Sequence, residues 1–304
     1  MITILTRPPT LSILTIKELA AEILGRTRGP RAVVESLKRG LTEIGSEFAV
    51  NSLGVTDTTH VISGATTLKY AINKKRQGKI KKLIAGPVIS ITPTDHDSII
   101  LSPEIDLILF PSQWTKDFFV HQSPSLADKI KIWPAGTTIS NDVSPRSHKR
   151  ALLFIKNQDI VTEARVTKEL IQLGYQVVRM EYGTFGQKEY FKNLLTCSCM
   201  VYMSFSESQG LAIQEAWMRD VPTLVYNRGF WQSGTDIWKD SRISAPYLDA
   251  RAGMFFSPDE NIEMDTRTFI EKLPSYTPRV RALELSDEAC AKKYIDIISS
   301  NEAA

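Results

Sequence analysis

Two carboxylates eight positions apart, Glu207 and Glu215, bracket a glycine in the stretch "SFSESQGLAIQEAWMRDVPTLVYN". Glu207 falls in the loop that follows an apolar run, and Gly210 and Leu211 fall where the next helix should begin. A helix N-terminus carries unsatisfied N–H groups and partial positive charge, which suits a phosphate. Glycine there lets an anionic ligand come close to the backbone. A carboxylate is poorly suited to phosphate but well suited to accept hydrogen bonds from hydroxyls. Glu215, one turn past Leu211 on the same helical face, would reach a second polyol beyond the phosphates. Hydroxyls, then phosphates, then hydroxyls describe a nucleotide-sugar. The competing reading makes Glu207 a surface loop residue and Glu215 a solvated helix residue.

Such residues need strands that end level with one another, and the sequence supplies them. Short apolar segments alternate with amphipathic ones, in two blocks. The first block contains the strands "ITIL", "FAVN", "HVIS", "KKLIAG", "IDLILFPS" and "IKIWPAG". Its helices are "TIKELAAEIL", "PRAVVESLKRGL", "TTLKYAINKKR" and "QWTKDFFVHQ". Residues 137–149 are polar and turn-rich and read as a linker. The alternation restarts with the strands "ALLFIK", "YQVVRME", "CMVYMSF" and "PTLVYN", each followed or preceded by a helical segment. This pattern predicts an α/β protein of two Rossmann-like, doubly wound parallel sheets, over residues 1–140 and 150–285. A final helix at about 286–300 would pack back on the first domain. Ligands of such sheets sit at the carboxyl ends of the strands, so a cleft between the domains is the expected site. "WQSGTDIWKDSRISAPYL" fits no motif.

With the strand, the glycine, the Glu-Ala pair and the next strand in register, "ESQGLAIQEAWMRDVPTLV" resembles the E-x7-E region of retaining GT-B glycosyltransferases, family 4 above all. That family reads E-G-F-G-L-P-x-x-E-A here. Ser208 and Gln209 stand for its Gly and Phe, and Ala212 for its Pro. The resemblance implies that Glu207 contacts the donor sugar and Glu215 the ribose. It also implies that backbone amides at Gly210 and Leu211 hold the diphosphate, with Ser208 and Gln209 among the donor-binding residues. Lys156, ending "LLFIK", takes the place of the family's first cation at the leaving diphosphate. The second cation has no well-spaced counterpart: Arg165 and Lys168 are the candidates. Tyr182, Gly183 and Thr184 match the stretch that holds the nucleobase, though Tyr182 also reads as an ordinary strand-end aromatic. Gly29, before Pro30, stands for the glycine-rich loop of the first domain or is simply a helix cap. His96 would face the acceptor or sugar, or be a turn residue in water. His60 is the second choice and reads better as packed in or beside a strand.

Asp95-His96-Asp97 has the form of a manganese-binding D-x-D, but that motif belongs to a fold without the E-x7-E helix, so no metal is expected. No other cofactor is expected beyond the nucleotide-sugar co-substrate, whose base (UDP, GDP or ADP) stays open. The implied activity is metal-independent transfer of a sugar to a hydroxyl acceptor with retention, by same-face attack in a closing cleft. A non-catalytic sugar- or nucleotide-binding subunit and a sugar-nucleotide epimerase are the rival readings. The acceptor is open among glycan, lipid-linked and nucleic-acid classes. Six positive charges between Lys74 and Lys82 would dock an anionic acceptor or a membrane surface, unless they are only a solvated helix end.

Bulk properties exclude other classes. Of 304 residues, 42% are apolar and 23% charged, ordinary for a globular protein, and a net charge of +3 does not mark a nucleic-acid binder. Cys197, Cys199 and Cys290 give neither a disulfide framework nor zinc spacing and fit a reducing cytoplasm. No apolar run is long enough to span a bilayer, and "MITILTRPPT" lacks the form of a signal peptide. The expected location is cytoplasmic, with peripheral membrane contact through the basic run as the alternative.

Overall fold

A computed structural model describes residues 1–8, 28–258 and 261–300. The chain divides into two compact units, Met1–Gly136 with Asp287–Ala304, and Thr137–Ser286.

The first unit contains β1 (Ile2–Leu5), α1 (Arg28–Glu43), β2 (Phe48–Val50), β3 (Thr58–Ser63), α2 (Ala65–Arg76), β4 (Lys82–Val88), β5 (Leu107–Phe110), α3 (Gln113–Gln122) and β6 (Ile130–Ile132). The strands form one parallel sheet in the order β2-β1-β3-β4-β5-β6. Strands such as "LILF" are buried along their whole length, as a sheet covered on both faces requires. The helix expected over "TIKELAAEIL" lies outside the described residues. Gly29 was expected in a glycine-rich loop or as a helix cap. Instead α1 begins at Arg28, so Gly29 lies in its first turn, with Pro30 where the absent N–H costs no helical bond.

The terminal helix α9 (Asp287–Ser300) belongs to this unit and packs along α1. Arg39 Nε donates to Asp287 Oδ2 at 2.6 Å, and Trp133 Nε1 donates to the Cys290 carbonyl at 2.9 Å.

Beneath α9 lies His60, fully buried on β3. Its Nε2 is 2.7 Å from the Gly86 carbonyl and its Nδ1 is 3.1 Å from the Tyr294 hydroxyl. These partners suit a neutral ring that donates from Nε2 and accepts at Nδ1. Burial pulls its pKa from 6.5 down to about 4, partly opposed by the Gly86 bond. The unfolded chain therefore binds a proton from about pH 6.5 downward that the folded chain refuses until about pH 4. Stability is expected to fall as pH drops through this window, by roughly 3 kcal/mol if the shift is fully expressed. Urea unfolding at pH 7 and pH 4.5 checks this; a slope unchanged in His60→Gln would assign the loss to other groups.

The second unit contains β7 (Arg150–Ile155), α4 (Ile160–Gln172), β8 (Gln176–Glu181), α5 (Gln187–Leu194), β9 (Cys199–Met203), α6 (Leu211–Met218) and β10 (Thr223–Tyr226). An antiparallel hairpin, β11 (Phe230–Ser233) and β12 (Asp236–Lys239), follows, then β13 (Gly253–Phe256), α7 (Ile262–Glu271) and α8 (Pro278–Leu283). The parallel sheet runs β13-β10-β9-β7-β8. Alternate residues Leu153, Val201 and Leu224 face Val166 and Leu170 of α4 and Phe269 of α7 in one buried cluster. Asp159 caps α4 by accepting from the Thr162 N–H at 3.1 Å. The strand order reverses between β7 and β9, the topological switch point at which such sheets take ligands.

All three cysteines are free and buried. Burial raises the Cys197 thiol to about 11 and the Cys199 and Cys290 thiols to about 12, so none is a nucleophile near neutral pH. Among the described residues no helix is long and apolar enough to cross a membrane.

Candidate functional site

At the switch point β7 is followed by Lys156 and Asn157, and β9 by the loop Ser204–Gly210. Backbone bonds join the two ends: the Lys156 N–H donates to the Met203 carbonyl at 2.8 Å. Asn157 Oδ1 accepts from the Phe205 N–H at 2.9 Å, fixing where the loop departs. The Glu207 N–H is held by the Ile243 carbonyl at 2.7 Å.

This frame turns the Glu207 carboxylate inward. Glu207 is buried, and three donors meet on its Oε1: Tyr202 Oη at 2.6 Å, Lys156 Nζ at 2.7 Å and Ser204 Oγ at 3.0 Å. Tyr202 is buried within the sheet and stacks on Phe154, with ring centroids 5.1 Å apart. Burial first, and then the Glu207 charge, pushes the Tyr202 phenol well above its ordinary pKa, so it stays a donor. A buried carboxylate so surrounded keeps one orientation. The Lys156 ammonium also lies 5.6 Å from the centre of the half-exposed Tyr182 ring.

Gly210 ends the loop with φ +85°, a left-handed conformation, and α6 starts at Leu211 without a side-chain cap. A Cβ at Gly210 would also sit 3.3 Å from Ile213 Cδ1. Tyr190 Oη, donating to the Ala212 carbonyl at 2.6 Å, ties the start of α6 to α5. Gln209 is buried and donates to Gln214 at 3.3 Å, while Ser208 is exposed. One turn further, Glu215 is half-buried and accepts from Gln187 Nε2 at 2.9 Å.

The structure therefore gathers Lys156, Glu207 and Tyr182, with Gly210 and Leu211 in the next few residues. Gly183 and Thr184 form the turn after β8, where Thr184 bonds back to the Glu181 carbonyl. Arg165 is engaged elsewhere: its guanidinium holds both Glu263 oxygens, at 3.0 and 2.7 Å, from α4 to α7. His96 lies in the first unit and is exposed, on a turn where it adopts φ +54°. The Asp95 carboxylate beside it accepts from the Ile91 and Thr92 N–H groups and the Thr92 hydroxyl. In the basic run, Arg76 pairs with Glu104 and Lys81 with Asp57, both at 2.6 Å, and Lys75 pairs with Asp106. Much of that charge is thus offset within the unit.

Sequence reasoning missed Tyr202, Ser204, Asn157 and Gln187. Tyr202 sits in "CMVYMSF", where only the strand register shows its hydroxyl reaching Glu207.

No protein-family profile matches the chain, and no curated protein does. Solved structures do match. One is Anabaena HepE in complex with UDP and glucose, at 14% identity and TM-score 0.57, covering 98% of this chain and 99% of that one. The apo lipopolysaccharide outer core galactosyltransferase WaaB matches at 14% identity and TM-score 0.54, over 88% and 79% of the two chains. The catalytic domain of starch synthase IV from Arabidopsis thaliana, bound to ADP and acarbose, matches at 8% identity and TM-score 0.54, over 90% and 76%. These neighbours are GT-B glycosyltransferases, and at this identity the likeness establishes the fold: α/β, with a parallel sheet in each unit.

Proposed function

We propose that the chain is a nucleotide-sugar-dependent glycosyltransferase whose donor site lies at the carboxyl ends of β7 and β9. The observation that carries this reading is the buried Glu207 carboxylate, paired to Lys156 at 2.7 Å and followed within a few residues by the left-handed Gly210 at the start of α6. A helix start takes a phosphate, a fixed carboxylate takes sugar hydroxyls, and a lysine takes charge from the leaving group. The UDP and the ADP in the HepE and starch synthase structures are compatible with a nucleoside diphosphate donor.

In this reading Glu207 binds and orients the donor sugar, Lys156 neutralises the diphosphate as it leaves, and Glu215 binds the ribose. Retention follows if the acceptor hydroxyl attacks on the face the diphosphate leaves, giving its proton to a leaving phosphate oxygen. Such a path needs no metal and no protein nucleophile. A binding-only subunit is the second reading, favoured by Arg165, whose charge is spent on Glu263.

Calorimetric titration with UDP, GDP, ADP and their sugars tests both. One nucleoside diphosphate should bind, and Glu215→Ala should weaken it about tenfold through lost ribose bonds, with little change for inorganic pyrophosphate. Equal binding to the variant rejects the ribose assignment. Binding without transfer or donor hydrolysis supports the second reading.

A further inference from the structure

Lys156 is a costly cation to rely on alone. Its charge is offset by Glu207 at 2.7 Å, so the pair presents little net positive charge to a diphosphate. The other arginines of α4, β8 and α7 give no relief: Arg165, Arg179 and Arg267 all pair with carboxylates. Arg228, two residues past β10, differs. Among the described residues it makes no ion pair.

Its guanidinium is nevertheless held in place. The central carbon lies 4.4 Å from the Phe205 ring centre and 4.2 Å from that of Phe230, so the group is sandwiched. Its Nε donates to the Phe230 carbonyl at 3.0 Å, leaving the terminal nitrogens as the open prongs of the fork. Burial without an anion pulls its pKa below the ordinary arginine value.

The strand register puts it level with the site. Val225 pairs with Tyr202, so Arg228 is level with Phe205, and Ile155 pairs with Met203, so Lys156 is level with Ser204. The backbones of the two residues thus leave the sheet edge on either side of β9, whose loop carries Glu207, about two strand spacings or ~10 Å apart.

We infer that Arg228 is an anion-binding residue that takes a phosphate oxygen of the donor's diphosphate, a role that Arg165, held by Glu263, does not fill. This rests on the nucleotide-sugar reading above. A preorganised, aromatic-backed fork matches phosphate geometry and loses little entropy on binding.

The test compares wild type, Arg228→Gln and Arg228→Lys by calorimetry with the nucleoside diphosphate that wild type binds, the matching nucleoside, and inorganic pyrophosphate. Arg228→Gln should bind the diphosphate at least ~10-fold more weakly and the nucleoside equally well. Arg228→Lys, which keeps charge but not the fork, should fall between. Thermal melts confirm that the variants are folded. An unchanged diphosphate affinity, or an equal loss for the nucleoside, overturns the inference and leaves the donor reading standing. If wild type binds no nucleoside diphosphate, the donor reading fails. Pyrophosphate then decides the anion site: binding lost in Arg228→Gln upholds it, and binding unchanged or absent overturns it.

Discussion

Glu207→Gln is expected to lower turnover by at least ~100-fold while changing nucleoside diphosphate affinity less than about threefold. The substitution is nearly isosteric. A glutamine oxygen still accepts from Tyr202 and Ser204, which lie 2.6 and 3.0 Å from Oε1, so the loop keeps its shape. What disappears is the negative charge that holds Lys156 at 2.7 Å and that, in the proposed reading, fixes the sugar. Glu207→Ala should lose as much activity and also stability, because the buried Tyr202 hydroxyl is left without its acceptor. Donor hydrolysis and transfer rates, set beside calorimetric affinities, check this. Wild-type turnover in Glu207→Gln rejects the role given to this carboxylate. An equal loss of rate and affinity would make it a general binding residue instead.

The sequence made the position of this carboxylate legible because local signals agree there. An apolar run ends, a glycine follows, and an amphipathic stretch with Glu-Ala begins, and the structure has β9, left-handed Gly210 and α6 in those places. The partners of Glu207 were not legible, because they depend on register between strands. In "CMVYMSF" every residue but Ser204 looks like core, and Tyr202 is indeed buried; only its alignment with Phe154 and its place one strand over from Lys156 turn the hydroxyl into a donor to Glu207. Arg165 shows the opposite case. Its type and approximate spacing suggested a phosphate cation, but its partner Glu263 lies 98 residues away in sequence, and no local pattern reveals that pair. The hairpin Phe230–Lys239 lies in the stretch that fits no motif, and a Gly-Thr dipeptide separates its two strands. It pairs Trp231 with Trp238 and begins two residues beyond Arg228.

Gly40→Ala is expected to destabilise the first unit by about 3 kcal/mol, although it adds only a methyl group and sits in a helix that should prefer alanine. The reason is the approach of α9 to α1. A Cβ at Gly40 would lie 2.2 Å from the Asp287 carbonyl oxygen and 2.7 Å from Ala291 Cβ. The first of these is backbone in the opening turn of α9, so no side-chain rotation relieves the overlap. The helix must move away, and the 2.6 Å bond from Arg39 to Asp287 moves with it. Further along α9, Tyr294 covers His60, and the Cys290 carbonyl holds Trp133, so a displaced helix uncovers buried polar groups as well as apolar surface. Urea unfolding gives the stability loss, and amide hydrogen exchange locates it. Residues 287–300 should exchange faster in Gly40→Ala while the β7–β10 sheet of the second unit keeps its protection, because none of the displaced contacts belongs to that unit. Uniform loss of protection in both units, or none in either, would show that the terminal helix is not held by this close approach.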